Sequence, residues 1–250
     1  MSSATAKRLR ERWFGHLPKR WEVFHSMITQ QIQPGMSVLD VGCGKASFLP
    51  FPWKSVPRTR FIGIDPDPEA AGNPHMDEFH VLSDVDHWPV PDQSIDVSMA
   101  SYVLEHVESP ERFFGNLRRV LRPGGCFLFM TPNCRHPAMM VSRLLPFSWK
   151  QRILAKTKGV ADNDVFPTFY RMNTAARLTR EAQKHGFQVE HLSLREYQPT
   201  GYLDFHVLGF LAACGYRHAV RMLGLEHWLA MSMIGVLRLP HETASLARAA

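Results

Sequence analysis

The segment Ser37–Gly44, SVLDVGCG, constrains the fold more than any other part of the chain. Its first residues are mostly apolar or β-branched, which predicts a short buried strand over Ser37–Gly42. Gly42 and Gly44 stand at the end of this strand, where the absence of side chains lets the backbone turn sharply and approach a ligand closely. The segment therefore predicts a strand that runs directly into a ligand-binding loop.

Apolar strands alternate with helices along the first half of the chain. Further strands are predicted at Arg60–Asp65, Phe79–Asp84, Ser94–Ser101 and Gly125–Pro132. A helix is predicted to begin at Pro110 and to end before Pro123-Gly124-Gly125. This alternation is typical of a parallel sheet covered by helices on both faces, whose ligands bind beyond the carboxyl ends of the strands. We therefore expect the site at Gly42, Asp65, Asp84 and Ser101–Tyr102.

The alternation is interrupted after residue 133. The later predicted elements are a helix from Asn173 or Thr174 to about His185, closed by Gly186, and two strands, Gln188–Glu196 and Met231–Leu239. We interpret residues 1–250 as a single domain. It has an N-terminal helical region, 1–34, and two insertions on the substrate side, at about 134–172 and 197–230.

The composition indicates a globular protein whose core needs neither disulfides nor a metal ion. Of the 250 residues, 45% are hydrophobic and 21% are charged, so the chain can bury a core without disulfides or metal. The net charge of +6 is compatible with nucleic acid, membrane or acidic small molecules and selects none of them. No two of the four cysteines have C-x-x-C spacing, so neither a metal site nor a disulfide framework is expected. Because no signal peptide or membrane span is recognisable, we expect a cytoplasmic protein.

Two carboxylates narrow the ligand to a nucleoside cofactor. Asp65 ends the second strand, where a carboxylate can hold two ribose hydroxyls or, alternatively, accept a bond from the amide of Asp67. A dinucleotide fingerprint needs glycine at the position of Ser47. Asp40 would repel a pyrophosphate but attract an ammonium group. These residues favour S-adenosylmethionine over a dinucleotide.

Four motifs then occur in order: VLDVGCGKASF, GIDPD, PVPDQSIDVSMASYVLEHV and RVLRPGGCFLFMTPN. Residues 36–133, which contain them, resemble the class I S-adenosylmethionine-dependent methyltransferases of the small-molecule type, including ubiquinone-biosynthesis-like enzymes. The resemblance implies a Rossmann-like three-layer α/β sandwich with a seven-stranded, mostly parallel sheet and an antiparallel last strand. It also implies S-adenosylmethionine as cofactor and S-adenosylhomocysteine as product. The chain departs from the family at Ala46, where a third glycine is usual.

The same resemblance implies a cofactor site shared by neighbouring strand ends. The methionine end of the cofactor is held by the first strand and its loop, through Asp40, Gly42 and Gly44. Asp65 binds the ribose. The adenine contacts and the edge of the fourth strand are contributed by Asp84, Val85 and Ser101.

Methyl transfer from a sulfonium asks the protein mainly to position an acceptor and to remove its proton. His106 follows the fourth strand and is the candidate base, although it could instead buttress the loop. Arg171 either binds a carboxylate or anchors the following helix. We expect an oxygen acceptor, a hydroxyl or a carboxylate, on a partly hydrophobic metabolite. The candidate acceptor-binding residues are Tyr102, His136, Phe169, Tyr170, Arg171 and His206.

Several other partners and functions are alternatives to this interpretation. The string SMASYV lacks the paired prolines or cysteine typical of nucleic-acid-modifying relatives, so a nucleic-acid acceptor is not expected. The apolar segment from Tyr202 to Met231 predicts either a lid packed on the core, which we favour, or helices on a bilayer surface. A non-catalytic sensor of a nucleoside cofactor and a nicotinamide-dependent oxidoreductase stay open. The sequence does not define the oligomeric state.

Overall fold

A computed structural model of the chain describes residues 8, 11–15, 17–45, 55–144, 166–197 and 207–241. Its strands are β1 Ser37–Val41, β2 Arg60–Asp65, β3 Glu78–Val81, β4 Ile95–Ser101, β5 Leu121–Pro132, β6 Gln188–Arg195 and β7 Ser232–Arg238. The α-helices are α1 Arg20–Gln31, α2 Pro110–Val120, α3 Pro137–Leu144, α4 Ala175–Lys184, α5 Val207–Met222 and α6 Glu226–Leu229. Short 3₁₀ helices occupy Pro68–Gly72 and Leu104–His106.

The strands form one seven-stranded sheet in the order β3-β2-β1-β4-β5-β7-β6. Strands β1 to β5 are parallel to their neighbours, whereas the last strands are antiparallel. This confirms the predicted fold class. Val41 at the end of β1 pairs with Ile64 of β2 and with Ala100 of β4. The carboxyl ends of these three strands therefore lie side by side, at the edge where the ligand is expected.

Helix α2 covers the sheet with its apolar face. Pro110 occupies its first turn, and the Ser109 side chain accepts a hydrogen bond from the amide of Arg112. Phe113, which is buried, has its ring centroid 5.8 Å from that of Phe127 on β5. Burying an aromatic or aliphatic side chain of this size stabilises the fold by about 1.5–3 kcal/mol. The aromatic content of PERFFGNLRRVL is thus what fixes this helix to the sheet.

Helix α4 has the capping residues that its sequence predicts. The Thr174 side chain accepts a hydrogen bond from the amide of Arg177 at its start. Gly186 follows its end with φ +83°, a left-handed conformation that favours glycine. A Cβ at Gly186 would also lie 2.3 Å from a guanidinium nitrogen of Arg118, which donates a hydrogen bond to the carbonyl of His185. The predicted helix and its glycine stop are confirmed.

Two predicted strand boundaries are wrong. Strand β3 ends at Val81 rather than at Asp84, because the Asp84 carboxylate accepts a hydrogen bond from the amide of Asp86 and turns the chain. Strand β5 begins at Leu121 rather than at Gly125, because Leu121 already pairs with Ile95 of β4. The glycines that suggested a loop there are accommodated by a register irregularity within the strand.

The chain divides into two compact units. The sheet unit comprises residues 24–131, 168–192 and 233–250, and the helical unit comprises residues 1–23, 132–167 and 193–232. The sheet unit contains β1 to β4, nearly all of β5, α2 and α4, whereas the helical unit contains α3, α5 and α6. The segments of the helical unit overlap the predicted N-terminal region and insertions. The single-domain organisation itself stays a prediction.

Candidate functional site

The glycine loop after β1 adopts the backbone conformation that its glycines permit. Gly42 has φ +71° and donates its amide to the carbonyl of Ile64 at 2.7 Å. A Cβ at Gly42 would lie 2.4 Å from Cγ2 of Val103, which follows β4. Gly44 has φ +54°, and a Cβ there would meet no atom within 4 Å. Val103 therefore leaves no room for a side chain at Gly42, whereas the space beside Gly44 is open.

Asp65 connects the end of β2 to this loop. Its Oδ2 atom accepts a hydrogen bond from the amide of Gly44 at 2.9 Å, and its Oδ1 atom accepts one from the amide of Asp67 at 2.8 Å. The turn predicted as an alternative role for Asp65 is thus present, together with a bond to the glycine loop that the sequence does not reveal. Each carboxylate oxygen can accept a further hydrogen bond, so these contacts leave room for a ligand's hydroxyls.

A second support of the loop, Asn73, is missed by the sequence analysis. Its buried Nδ2 atom donates to the carbonyl of Cys43 at 3.1 Å and to that of Gly44 at 3.0 Å. Asn73 follows the 3₁₀ helix Pro68–Gly72, about thirty residues from the loop. No local pattern marks such a contact, because asparagine after a short helix is ordinary turn chemistry.

Asp40 lies buried on β1 behind the loop. Burial, and then the nearby negative charge of Asp65, raise its pKa to about 8. Within the part of the chain that the structure describes, no basic side chain forms a salt bridge with Asp40. A ligand carrying a cation would relieve both effects, because a positive charge stabilises the ionised carboxylate.

Asp84 and Val85 lie beyond the end of β3, and both are exposed. Val85 has 64% of its surface accessible and Val81, at the end of the strand, has 42%. Exposed aliphatic side chains beside a polar carboxylate are compatible with contact to a flat heterocycle that carries an amino group. The Asp84 carboxylate already accepts one hydrogen bond, from the amide of Asp86 at 2.8 Å.

The end of β4 leads into the second half of the site. Ser101 ends the strand, and Tyr102 has φ +58°, an uncommon conformation for a residue with a large side chain. The Tyr102 amide donates to the carbonyl of Met130 on β5 at 2.8 Å, which holds this turn to the sheet. His106 is half-buried at the end of the 3₁₀ helix Leu104–His106. Its amide donates to the carbonyl of Val103 at 2.8 Å.

Glu105 is a buried carboxyl group whose role the sequence does not predict. Its Oε2 atom accepts a hydrogen bond from the Thr131 hydroxyl at 3.0 Å, and that hydroxyl accepts one from Nδ2 of Asn173 at 2.6 Å. All three residues are buried. Burial raises the pKa of Glu105 to about 7. The chain of bonds joins the loop after β4, the end of β5 and the segment before α4.

The backbone of Glu105 also positions two candidate acceptor-binding residues. Its carbonyl accepts hydrogen bonds from the amides of Phe169 at 2.8 Å and Tyr170 at 3.1 Å. Tyr170 is buried and has φ +52°, so a second tyrosine of the predicted set is in the left-handed region. Such conformations persist only where surrounding contacts impose them, and they are concentrated at functional sites. Arg171 follows with an exposed side chain that forms no salt bridge with any described residue.

The remaining predicted acceptor residues belong to the helical unit or fall outside the described residues. His136 is buried, and its ring is 5.1 Å from that of Tyr216 in an edge-on arrangement. Its Nε2 atom lies 3.9 Å from Oε1 of Glu196, and burial, assisted by Arg217, lowers the pKa of His136 to about 4. It is therefore neutral near pH 7. His206 lies outside the described residues.

The residues at the edge of the sheet fit a cofactor with an ammonium group and a ribose. The fit rests on a buried acid that lacks a cation, Asp40, on the open space at Gly44, and on the carboxylate of Asp65 between them. A pyrophosphate would instead meet two acids at this position, which is unfavourable. The chemistry of the donor set therefore agrees with S-adenosylmethionine rather than a dinucleotide.

Comparison with known proteins agrees with this chemistry. Residues 11–192 match the family described as "Methyltransferase domain". The human thiol S-methyltransferase TMT1A is 34% identical over 160 residues, which cover 60% of this chain and 57% of that protein. The ubiquinone biosynthesis O-methyltransferase of Rhodopseudomonas palustris is 34% identical over 105 residues, 40% of this chain and 41% of that protein. Among the curated relatives, the chain spans from about a third to three fifths of their length.

A solved structure supports the fold. The S-adenosylmethionine-dependent methyltransferase from Mesorhizobium loti superimposes with a TM-score of 0.54 and 20% identity, over 87% of this chain and 96% of that one. The family match includes the glycine loop, Asp65 and His106. It covers more than two thirds of the chain, which therefore belongs to the methyltransferase domain family.

Proposed function

We propose that this enzyme methylates an oxygen atom, in a hydroxyl or carboxylate, of a small and partly hydrophobic acceptor. The observation that carries the proposal is the position of His106. It lies half-buried directly after β4, and Glu105 beside it is tied to both β5 and the Phe169–Tyr170 segment. A base in this position is next to the strand end that borders the cofactor residues, where the acceptor atom must meet the activated methyl group.

In this proposal the cofactor is held by the edge of β1 and β2. Asp40 binds the ammonium group, and the backbone at Gly42 and Gly44 faces the methionine part of the molecule. Asp65 binds the ribose hydroxyls while it keeps its bond to the Gly44 amide. The adenine ring lies against Val85 with its amino group toward Asp84, and Ser101 completes the set. The exposed state of Val85 supports this contact, because a bound ring would cover apolar surface.

The acceptor is proposed to lie between the loop after β4 and the segment before α4. Tyr102 and Tyr170 are both held in left-handed conformations there, and Phe169 adds apolar surface. Arg171 is available for a carboxylate or phosphate of the acceptor because it has no described salt-bridge partner. His136, which is neutral and buried, and His206 stay candidates for acceptor contact.

The protein itself has only to position the acceptor and to remove its proton. S-adenosylmethionine supplies a methyl group on a sulfonium, a carbon already activated for in-line displacement. His106 removes the proton of a hydroxyl acceptor, and the imidazole holds that proton until solvent takes it. A carboxylate acceptor needs no base, in which case His106 orients it by donating a hydrogen bond. The surrounding aromatic side chains exclude water from the line of attack.

A thiol acceptor is the second candidate. It is favoured by the similarity to a thiol S-methyltransferase over 60% of this chain. Thiols ionise near pH 8.5, far more readily than alcohols, so a single histidine is a sufficient base.

The chain's own cysteines are free thiols, and Cys43, Cys126 and Cys134 are buried. This supports the proposal of a reducing, cytoplasmic environment.

The test is a methyl-transfer assay with S-adenosylmethionine labelled in the methyl group. The acceptor panel pairs molecules of similar shape that differ in the acceptor atom: a phenol and the matching thiophenol, and an alkyl alcohol and the matching alkyl thiol. An alkyl carboxylate is a further oxygen acceptor. The proposal expects label on the oxygen acceptors, at a rate that rises with the size of the apolar part. Label on the thiols alone would establish the second candidate. Binding of S-adenosylhomocysteine without transfer to any acceptor would favour the non-catalytic alternative.

A further inference from the structure

The exposed apolar side chains are concentrated in one of the two units. Of the ten large hydrophobic residues that are exposed in the described part of the chain, eight belong to the helical unit. The two in the sheet unit, Val81 and Val85, border the cofactor residues. Those in the helical unit are Trp13, Met140, Val141, Phe166, Leu211, Met222, Leu223 and Trp228. Exposed apolar side chains mark an interaction site where they form a contiguous patch.

Helix α5 presents two of these side chains on one exposed face. At about 100° per residue, Leu211, Gly215, His218 and Met222 lie within a narrow sector of the helix, the stripe of α5, and all four are exposed. Val220, on the other side, is buried. The helix contains no aspartate or glutamate, and Arg221 is exposed beside the stripe. The two apolar members of the stripe, Leu211 and Met222, are therefore open to a partner.

The chain beyond α5 extends the apolar surface. Leu223 is 70% exposed, and Trp228 in α6 is 50% exposed. Helix α6 is held to α5 by the Tyr216 hydroxyl, which donates to the carbonyl of Leu229 at 2.9 Å. The Arg135 guanidinium lies 4.5 Å from the centre of the Trp228 ring. An indole beside an arginine suits the boundary between apolar chains and anionic headgroups.

The charge of the chain is divided in the same way. The helical unit contains fifteen lysines and arginines against seven aspartates and glutamates, so its net charge is +8. The sheet unit contains fourteen basic and sixteen acidic residues, so its net charge is −2. The overall value of +6 conceals this difference. The unit that exposes apolar side chains is therefore also the basic unit.

We propose that the helical unit docks on an anionic lipid bilayer, with the stripe of α5, Leu223 and Trp228 inserted at the interface. Apolar side chains beside basic residues, on a helix such as α5 that contains no aspartate or glutamate, have the composition of interfacial helices. A second copy of the chain is a poorer partner, because symmetric pairing would bring two units of charge +8 together. Among the described residues, no helix has the length and apolarity to cross a membrane.

The proposal is tested by co-sedimentation of the full chain with vesicles of phosphatidylcholine alone or with about a third phosphatidylglycerol. We expect binding to the anionic vesicles, weakened by salt, and little binding to the neutral ones. The variant Met222→Glu/Leu223→Glu should bind the anionic vesicles at least roughly tenfold more weakly. Both side chains are at least 70% exposed, so the fold should tolerate the change. Circular dichroism and S-adenosylhomocysteine binding confirm that each variant is folded.

The matched control is Ala176→Glu/Gln183→Glu on α4, which makes the same change of charge at exposed positions of the sheet unit. It should bind the vesicles nearly as well as the wild type. No binding of the wild type to anionic vesicles would overturn the proposal, as would equal weakening by both variants, which would mean that net charge alone is responsible. Dimerisation in analytical ultracentrifugation that is abolished only by Met222→Glu/Leu223→Glu would also overturn it, in favour of a second copy.

Discussion

Oδ2 of Asp65, the last residue of β2, accepts a hydrogen bond from the amide of Gly44 at 2.9 Å, although the two residues are separated by 21 positions and Gly44 lies in the loop after β1. The acid that the sequence assigns to the ribose therefore also holds the loop that faces the methionine part of the cofactor. One side chain serves both halves of the cofactor site. Any change at Asp65 should consequently affect ligand contacts and loop geometry together.

Asp65→Ala should weaken S-adenosylhomocysteine binding at least about a hundredfold, because two charge-assisted hydrogen bonds worth about 1.5–3 kcal/mol each are lost. Isothermal titration calorimetry measures the change. The matched control is Asp96→Ala, since Asp96 accepts a hydrogen bond from the amide of Ser37 at 2.8 Å, at the opposite end of β1. The control should lower the melting temperature and leave the affinity unchanged. Equal affinities for wild type and Asp65→Ala would refute the assignment of the ribose.

Cofactor affinity should depend on pH through Asp40, whose pKa is raised to about 8 by burial and by Asp65. An ammonium group favours the ionised carboxylate, so binding must release the proton that Asp40 holds below pH 8. Affinity for S-adenosylhomocysteine should rise about tenfold between pH 6 and pH 7, continue to rise about fivefold to pH 8, and level off only above that pH. Calorimetry in buffers of different ionisation enthalpy should detect this proton release. In Asp40→Asn the affinity should be lower and independent of pH, and the same slope in that variant would exclude Asp40 as its source.

Glu105 should make the protein less stable as pH rises toward neutrality. Its ordinary pKa of 4.5 is raised to about 7 in the folded protein, so between these values the folded state binds more protons than the unfolded state. The free energy of unfolding should therefore fall from pH 5 to pH 8. Glu105→Gln keeps the shape of the protonated acid and should flatten this part of the profile, as measured by urea denaturation. A Glu105→Gln profile that matches the wild type would show that Glu105 is ionised throughout.

His106→Ala should lower kcat about a hundredfold for a hydroxyl acceptor, with unchanged affinity for S-adenosylhomocysteine, because only proton removal is lost. His191→Ala, at an exposed position on β6, is the control and should react at the wild-type rate. A wild-type rate in His106→Ala would show that His106 is not the base and only supports the loop.

The parts of the fold that the sequence predicts well are those with local causes. Both ends of strand β2 are predicted correctly, because non-polar residues continue from Phe61 up to Asp65, where the strand ends. Helices α2 and α4 are predicted from their caps and their apolar faces. Strand β3 is predicted too long, because Asp84 turns the chain through its own side chain although the sequence before it alternates as a strand.

The parts of the site that the sequence does not predict depend on contacts between residues that are distant in the chain. Asn73 supports the glycine loop from about thirty positions away. Glu105 is hydrogen-bonded to Thr131 on β5, which is hydrogen-bonded in turn to Asn173 before α4. A single sequence contains no record of these distances. Exposure is equally hidden, since the apolar residues of α5 have the same composition whether they form a lid or an outer surface. Only the fold distinguishes the two.

The most direct test of the proposed cofactor site is a crystal structure of the protein with S-adenosylhomocysteine. We expect both ribose hydroxyls within hydrogen-bond distance of Asp65, the ammonium group on Asp40, and the adenine ring against Val85. We also expect His106 on the side of the cofactor from which the methyl group is transferred. A ligand bound at this edge with its ribose away from Asp65, or bound elsewhere on the chain, would show that the proposed site is wrong.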